Sequence, residues 1–146
     1  MRGAPRFFQP GEVSRYDTII LAVDSLEARR RLFDTALAYV NLRYWLDLRL
    51  GGKTSVAYAL HREVPLGKPG VWVAGDAAAY RDTLTQQSEA DPCGARSFLP
   101  TAFGCAMLAG HILSAWARGV DVPWEHYLTF DAPTSPRLYT RGDGEV

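Results

Sequence analysis

The residues best placed to do chemistry are an acid, a hydroxyl and a cation in one short run: Asp24, Ser25 and Arg29, within YDTIILAVDSLEAR. An apolar, β-branched stretch over 16–23 stops at Asp24-Ser25, and a helical pattern begins at once, with Glu27 at capping-box spacing from Asp24. A buried strand that runs straight into a helix puts this acid at the carboxyl edge of a sheet, where open α/β sheets bind ligands. There Asp24 can cap the helix, hold a metal or contact a ribose, and the residues alone do not choose among the three. Asp47 and Arg49 end a second apolar run; they suit a site-facing pair as well as an internal salt bridge or solvated charges. Cys93 precedes a long helix, whose amino end would lower its thiol pKa and make it reactive. No histidine adjoins it, so a structural cysteine is the plainer role. Cys105 and His111 sit inside an apolar helix pattern and read as core or interface. His61 and His126 have no acid or cysteine at metal-ligand spacing, and the four tryptophans read as packing.

The elements that must position these residues follow from periodicity. Residues 1–14 read as a loop or incomplete edge, punctuated by Pro5, Pro10 and Gly11. After the strand at 16–23, a helix is expected over 26–42, with Leu26, Phe33, Leu37 and Val40 on one face. Strands follow at 44–48 and 53–61, the second open to a hairpin with the first across Gly51-Gly52. A small strand at 71–73, a short helix at 76–84 capped by Asp76, a long apolar helix at 97–118 and a last strand at 125–130 complete the pattern. Residues 132–146 read as a flexible tail. The body is thus one α/β domain over 15–131, expected as a mostly parallel, Rossmann-like sheet with helices on its faces.

Composition narrows the classes. The chain has 146 residues, 47% of them hydrophobic, enough for one domain with a real core. Sixteen basic side chains balance sixteen acidic ones, which argues against a general nucleic-acid binder or a binder of anionic membranes. Two cysteines fit a reducing compartment, and the first residues lack the apolar core of a signal peptide, so a cytoplasmic protein is expected. Residues 98–117 are nearly long enough to span a bilayer, but polar interruptions favour a helix buried on a sheet. Neither G-x-G-x-x-G nor a P-loop is present.

The runs YDTIILAVDSLEARRRLF, WLDLRLGG and PCGARS, the last before a long apolar helix, together resemble the carboxyl-terminal half of the ThiF/MoeB/ubiquitin-activating family, most closely its short bacterial and phage-type members. The resemblance covers residues 14–130. It implies adenylation, with Mg-ATP, of the terminal carboxylate of a ubiquitin-like or sulfur-carrier protein. It gives Asp24 the magnesium of ATP, a hard ion suited to carboxylate oxygen. It sets Ser25 where the family usually has an asparagine in the nucleotide pocket, and it makes Arg29 the family's helix arginine, structural or phosphate-facing. Cys93 matches the first cysteine of a structural zinc pair and would be the candidate to accept the activated carboxylate as a thioester. Arg96 replaces the second cysteine, so no structural zinc is expected.

In that family the glycine-rich turn and the phosphate-clamping basic residues precede the strand matched here by 16–23. The expectation is therefore a ThiF-like domain without the nucleotide-binding front half, truncated or dependent on a second chain, so that the ATP and magnesium the resemblance implies need not be bound by this chain alone. Family members dimerise, so a homo-oligomer or a complementary chain is the expected partner besides the carrier protein. The alternative is a non-enzymatic dimerisation or interaction module derived from that fold. A dinucleotide-dependent oxidoreductase remnant is the third reading, disfavoured by the missing glycine fingerprint.

Overall fold

The computed structural model describes residues 9–23, 25–63, 70–85, 99–130 and 137–141. A 3-10 turn at Pro10–Arg15 leads to β1 (Thr18–Leu21), α1 (Leu26–Ala36), β2 (Tyr44–Gly51) and β3 (Thr54–Glu63). Then come the two-residue β4 (Val71–Trp72), α2 (Ala74–Thr83), α3 (Leu99–Ala117), β5 (Glu125–Thr129) and β6 (Arg137–Arg141). The main sheet runs β1-β2-β3-β5-β6, and β4 pairs with the far end of β3.

β1 and β2 are parallel, as a strand–helix–strand crossover requires, with Leu21 beside Asp47. The pairs β2–β3, β3–β4, β3–β5 and β5–β6 are all antiparallel. The expectation of a mostly parallel sheet is thus corrected: the described sheet is mixed and mostly antiparallel. The cause is local. Gly51 pairs with Thr54, so Gly52 and Lys53 form a two-residue turn, and Gly52 adopts φ +51°, a conformation costly for a side-chain-bearing residue. That turn folds β3 straight back on β2 and leaves no room for a crossover helix.

Strand alternation divides the core between two faces. On one face Trp45, Tyr58 and Leu60 pack with Phe33 of α1 and Tyr80 of α2. Phe33 sits at the centre of this cluster, 4.6 Å edge-on from Tyr80 and 5.2 Å from Trp45. On the other face Leu46, Ala57, Ala59 and Leu128 meet Leu108, Ile112 and Trp116 of α3. The alanines of β3 and Gly104 of α3 let this helix lie close: a Cβ on Gly104 would fall 2.5 Å from Ser55 Oγ. α3 has the length and composition of a bilayer span, but here its Thr101, Gly104, Cys105, Leu108, Ile112, Ala115 and Trp116 are buried.

Some boundaries differ from the sequence reading. α1 ends at Ala36, not 42, since Leu37 is its C-cap and the chain turns through 37–42 to enter β2. Asp76 lies inside α2 rather than at its cap, which is Val73, and its side chain is buried. Residues 137–141, read as tail, form edge strand β6, in which Leu138 pairs with Leu128 of β5. Pro133 and Pro136 before it and Gly142 and Gly144 after it give this stretch the composition of a loop.

Candidate functional site

The carboxyl edge of β1 and the middle of β2 carry the densest set of charged groups in the described core. Ser25 opens α1 as its N-cap: its hydroxyl accepts from the amide of Ala28 at 3.2 Å, and the side chain faces solvent. One turn later Arg29 points back into the protein and is 4% exposed. Its guanidinium pairs with Asp47 and donates to the carbonyls of Val23 and Leu48, the latter at 3.3 Å. A single side chain thereby ties the end of β1, the start of α1 and β2 together.

Asp47 is fully buried between two cations. One carboxylate oxygen faces Arg29, and the other accepts from Arg49 Nε at 2.8 Å and from the Tyr80 hydroxyl at 3.1 Å. Arg49 reaches on to α2, where its guanidinium donates to Thr83 Oγ1 at 2.9 Å. Its guanidinium carbon also lies over the Tyr58 ring, 4.3 Å from the centroid. Across the next strand Glu125, also buried, accepts from the Tyr127 hydroxyl. Burial pushes the phenols of Tyr58 and Tyr80 up, with Arg49 opposing the shift at both. Tyr127 is pushed up by burial and by its bond to Glu125. All three are neutral hydrogen-bond donors at physiological pH.

This arrangement satisfies an internal charge rather than presenting one. Both Asp47 oxygens are engaged and out of water, so the carboxylate is no general base for an outside ligand. Of the open alternatives for Asp47 and Arg49, the structure gives the internal ion pair. Sequence reasoning missed Tyr58, Tyr80, Thr83, Glu125 and Tyr127. Tyr58 was findable, because a hairpin with Gly52–Lys53 at its tip sets residue 58 opposite residue 47. Nothing in the sequence pointed to Tyr80 or Thr83, which α2 brings in from more than thirty residues away.

Among the residues singled out from sequence, Ser25 and Arg29 come together at this edge, while Asp24, Cys93 and Arg96 lie outside the described residues. His61 Nε2 stands 3.6 Å from Asp121 at the surface, and His126 Nε2 bonds the Pro123 carbonyl at 2.8 Å inside the core. Cys105 is a buried free thiol whose pKa burial pushes up. Among the described residues no three histidine, cysteine or acidic side chains converge as a metal would need. A polar surface hollow lined by Ser14, Arg15, Tyr16, Asp17 and Asn41 lies at the amino end of β1, opposite the candidate edge.

For a nucleoside triphosphate the described part of the edge is a poor fit. Its hydroxyl already caps a helix, and its guanidinium is already neutralised by Asp47. Comparison with models of known protein families, with curated proteins and with solved structures gave no match.

Proposed function

We propose that the chain is a ThiF-like activating domain that works with a second chain to adenylate the terminal carboxylate of a ubiquitin-like or sulfur-carrier protein, in the cytoplasm. The observation that carries the reading is the β1–α1–β2 unit. It holds the one parallel strand pair of the described sheet, and it bears the motif on which the resemblance rests. Within it Arg29 acts as a positioning residue, gripping Val23 and Leu48 on either side of the edge. In this reading Asp24 is the ligand for magnesium and Cys93 the thioester candidate, while Ser25 keeps its hydroxyl on the helix cap and lends no bond to the nucleotide.

The test is pyrophosphate–ATP exchange driven by a carrier ending in glycine, with a complementary nucleotide-binding chain supplied. Exchange that Asp24→Ala abolishes is the expected result. Absence of exchange with every component present overturns it. A melting scan of this chain with millimolar Mg-ATP is the simpler companion, because a ligand bound only by the folded state raises Tm.

A second reading, an interaction module without catalysis, is favoured by α3. Its sheet-facing side is buried, while Leu99, Phe103 and Met107 stand in solvent. A contiguous apolar face of this kind marks a surface meant for cover. A monomer that binds no apolar-surface dye at that face would remove the reason for this reading.

A further inference from the structure

We infer that the carboxyl-terminal half of α3 is an acid-released flap: a proton taken up by His126 frees residues 110–117 from the sheet. His126 lies on β5, on the same face as Leu128, which packs against α3, and it is 2% exposed. Its Nε2 stands 2.8 Å from the Pro123 carbonyl, which can only accept, so Nε2 carries the hydrogen of the neutral ring. A second proton must go to Nδ1, which is buried and has no hydrogen-bond partner among the described residues. A charged ring would aim that N–H at no acceptor and out of reach of water. The closed form therefore excludes the proton, and an open form that lets water reach Nδ1 accepts it.

The surrounding charges give that proton no help. Gly104 of α3 abuts Leu128 and Phe130. Two helical turns on from Gly104 advance about 10 Å, and two strand residues back from Leu128 about 7 Å, which sets His111 alongside His126. Burial holds the His126 pKa below the ordinary histidine value, the Pro123 carbonyl opposes, and the charge of His111 adds to the lowering. On the same face Ala57 and Ala59 of β3 and Leu138 and Thr140 of β6 are uncharged. Glu125 alternates to the other face, towards Tyr127, and Arg118 is exposed beyond the helix end. Asp121 faces His61 of β3 at 3.6 Å, and its side chain is 90% exposed. A proton on His61 strengthens that pair and works against release, weakly because the acid stands in water. The helix is also tethered unevenly. At its amino-terminal end Ser55 Oγ donates to the Thr101 carbonyl at 2.6 Å and Cys105 Sγ to the Arg49 carbonyl at 3.4 Å. Beyond Gly110, the poorest helix former of this half, Ile112 and Leu113 are held by apolar packing and Trp116 by its stack on Tyr44. Trp116 Nε1 is a second buried nitrogen with no partner among the described residues, so one opening hydrates both atoms.

Hydrogen exchange of the full chain at about pH 7.5 and about pH 5.5, each rate divided by the intrinsic rate at that pH, tests this. A half-helix detached from its sheet does not keep its hydrogen bonds, so the amides of residues 111–117 report the opening. With His126 titrating at about 6.5 in the open form, opening rises as pH falls below that value, by up to about tenfold between the two conditions. The amides that join β2 to β3, and those of α1, should show no such gain. His126→Gln should abolish the gain in α3, whereas His61→Gln should leave it in place. A gain that survives His126→Gln, disappears in His61→Gln, or is equal in α1 and β2 overturns the inference. Nitrogen NMR of the wild-type imidazoles decides the matter without any variant. His126 should remain neutral, with its hydrogen on Nε2, in the closed form at both pH values; a ring that takes up its proton near pH 6.5 while residues 111–117 stay protected overturns the inference as well.

Discussion

Asp47 sits in the structure's least forgiving position, a carboxylate with no exposure between Arg29 and Arg49. Removing one member of a buried pair leaves the other charged and dry. Asp47→Ala should therefore cost about 3–5 kcal/mol in chemical denaturation. Arg49 is 17% exposed and can turn to water, but Arg29 cannot. The double variant Asp47→Leu with Arg29→Met should accordingly be more stable than Asp47→Ala alone; a double variant that is less stable would show that the pair, not its desolvation, dominates. His126 gives a pH signature. Burial holds its pKa below the ordinary 6.5, with the Pro123 carbonyl opposing and His111 assisting. Between 6.5 and that lower value the unfolded chain binds the extra proton, so stability falls as pH falls through this window and is full above it. His126→Gln keeps a donor for Pro123 and should flatten that part of the profile of unfolding free energy against pH; an unchanged slope would assign it to other groups. At this scale the sequence announced the charged pair 47 and 49 but not its purpose. Asp47 lies in a run whose alternate residues are all apolar, yet the reason an acid is tolerated there comes from Arg29, eighteen residues earlier, and from Tyr80, on a different helix.

The elements hold one another by a few specific groups. α1 has no basic residue in its last turn, and the missing cation arrives from β3. Arg62, 7% exposed, donates to the carbonyls of Ala36 and Leu37 at 3.2 and 3.1 Å and lies over Trp72 at 4.6 Å. This is also why the helix stops where it does, although the apolar period runs on to Leu42: its final carbonyls are captured by a neighbouring strand, which no local pattern reveals. Arg62→Met should lower stability by about 1–3 kcal/mol, the cost of leaving buried acceptors unpaired, with earlier hydrogen exchange in the last turn of α1. On the opposite face Ser55 donates to the Thr101 carbonyl at 2.6 Å, directly beside Gly104. Gly104→Ala would crowd Ser55 Oγ, Leu128 and Phe130 at 2.5, 3.0 and 3.0 Å. It should destabilise by about 1–3 kcal/mol despite the better helix propensity of alanine. Because one atom of Ser55 mediates both effects, Ser55→Ala and Gly104→Ala should combine to less than their sum; strict additivity in a double-mutant cycle would argue against this contact. The presence and kind of most elements were readable from period and capping. Their ends were not, because tertiary partners set them.

For the whole molecule, the sheet is built outward from one hairpin. β3 pairs with β2 on one side and with β4 and β5 on the other, and both core clusters draw on its side chains. β1 and β6 each have a single described neighbour. This order inverts the sequence-based picture, in which strand 16–23 led a parallel sheet. That strand had the strongest local signal, but an apolar β-branched run reports only that a strand is buried, not which neighbour it takes or in which direction. Direction was decided instead by the weakest-looking stretch, Gly51-Gly52-Lys53. Native-state hydrogen exchange should expose the hierarchy. Amides of β2 and β3 that bond to each other should exchange only through global unfolding. β1 should open earlier: Ile19 and Leu21 anchor it, but Ile20 is 49% exposed and its outer edge has no described partner. β6 should open earliest, with Leu138 57% exposed. Raising denaturant should merge these protections from the centre outward. If β1 proved as protected as β3 in the isolated chain, its open edge would have to be covered by something else, and the candidate site beside it would then be a closed structural joint rather than a place for a second chain to complete.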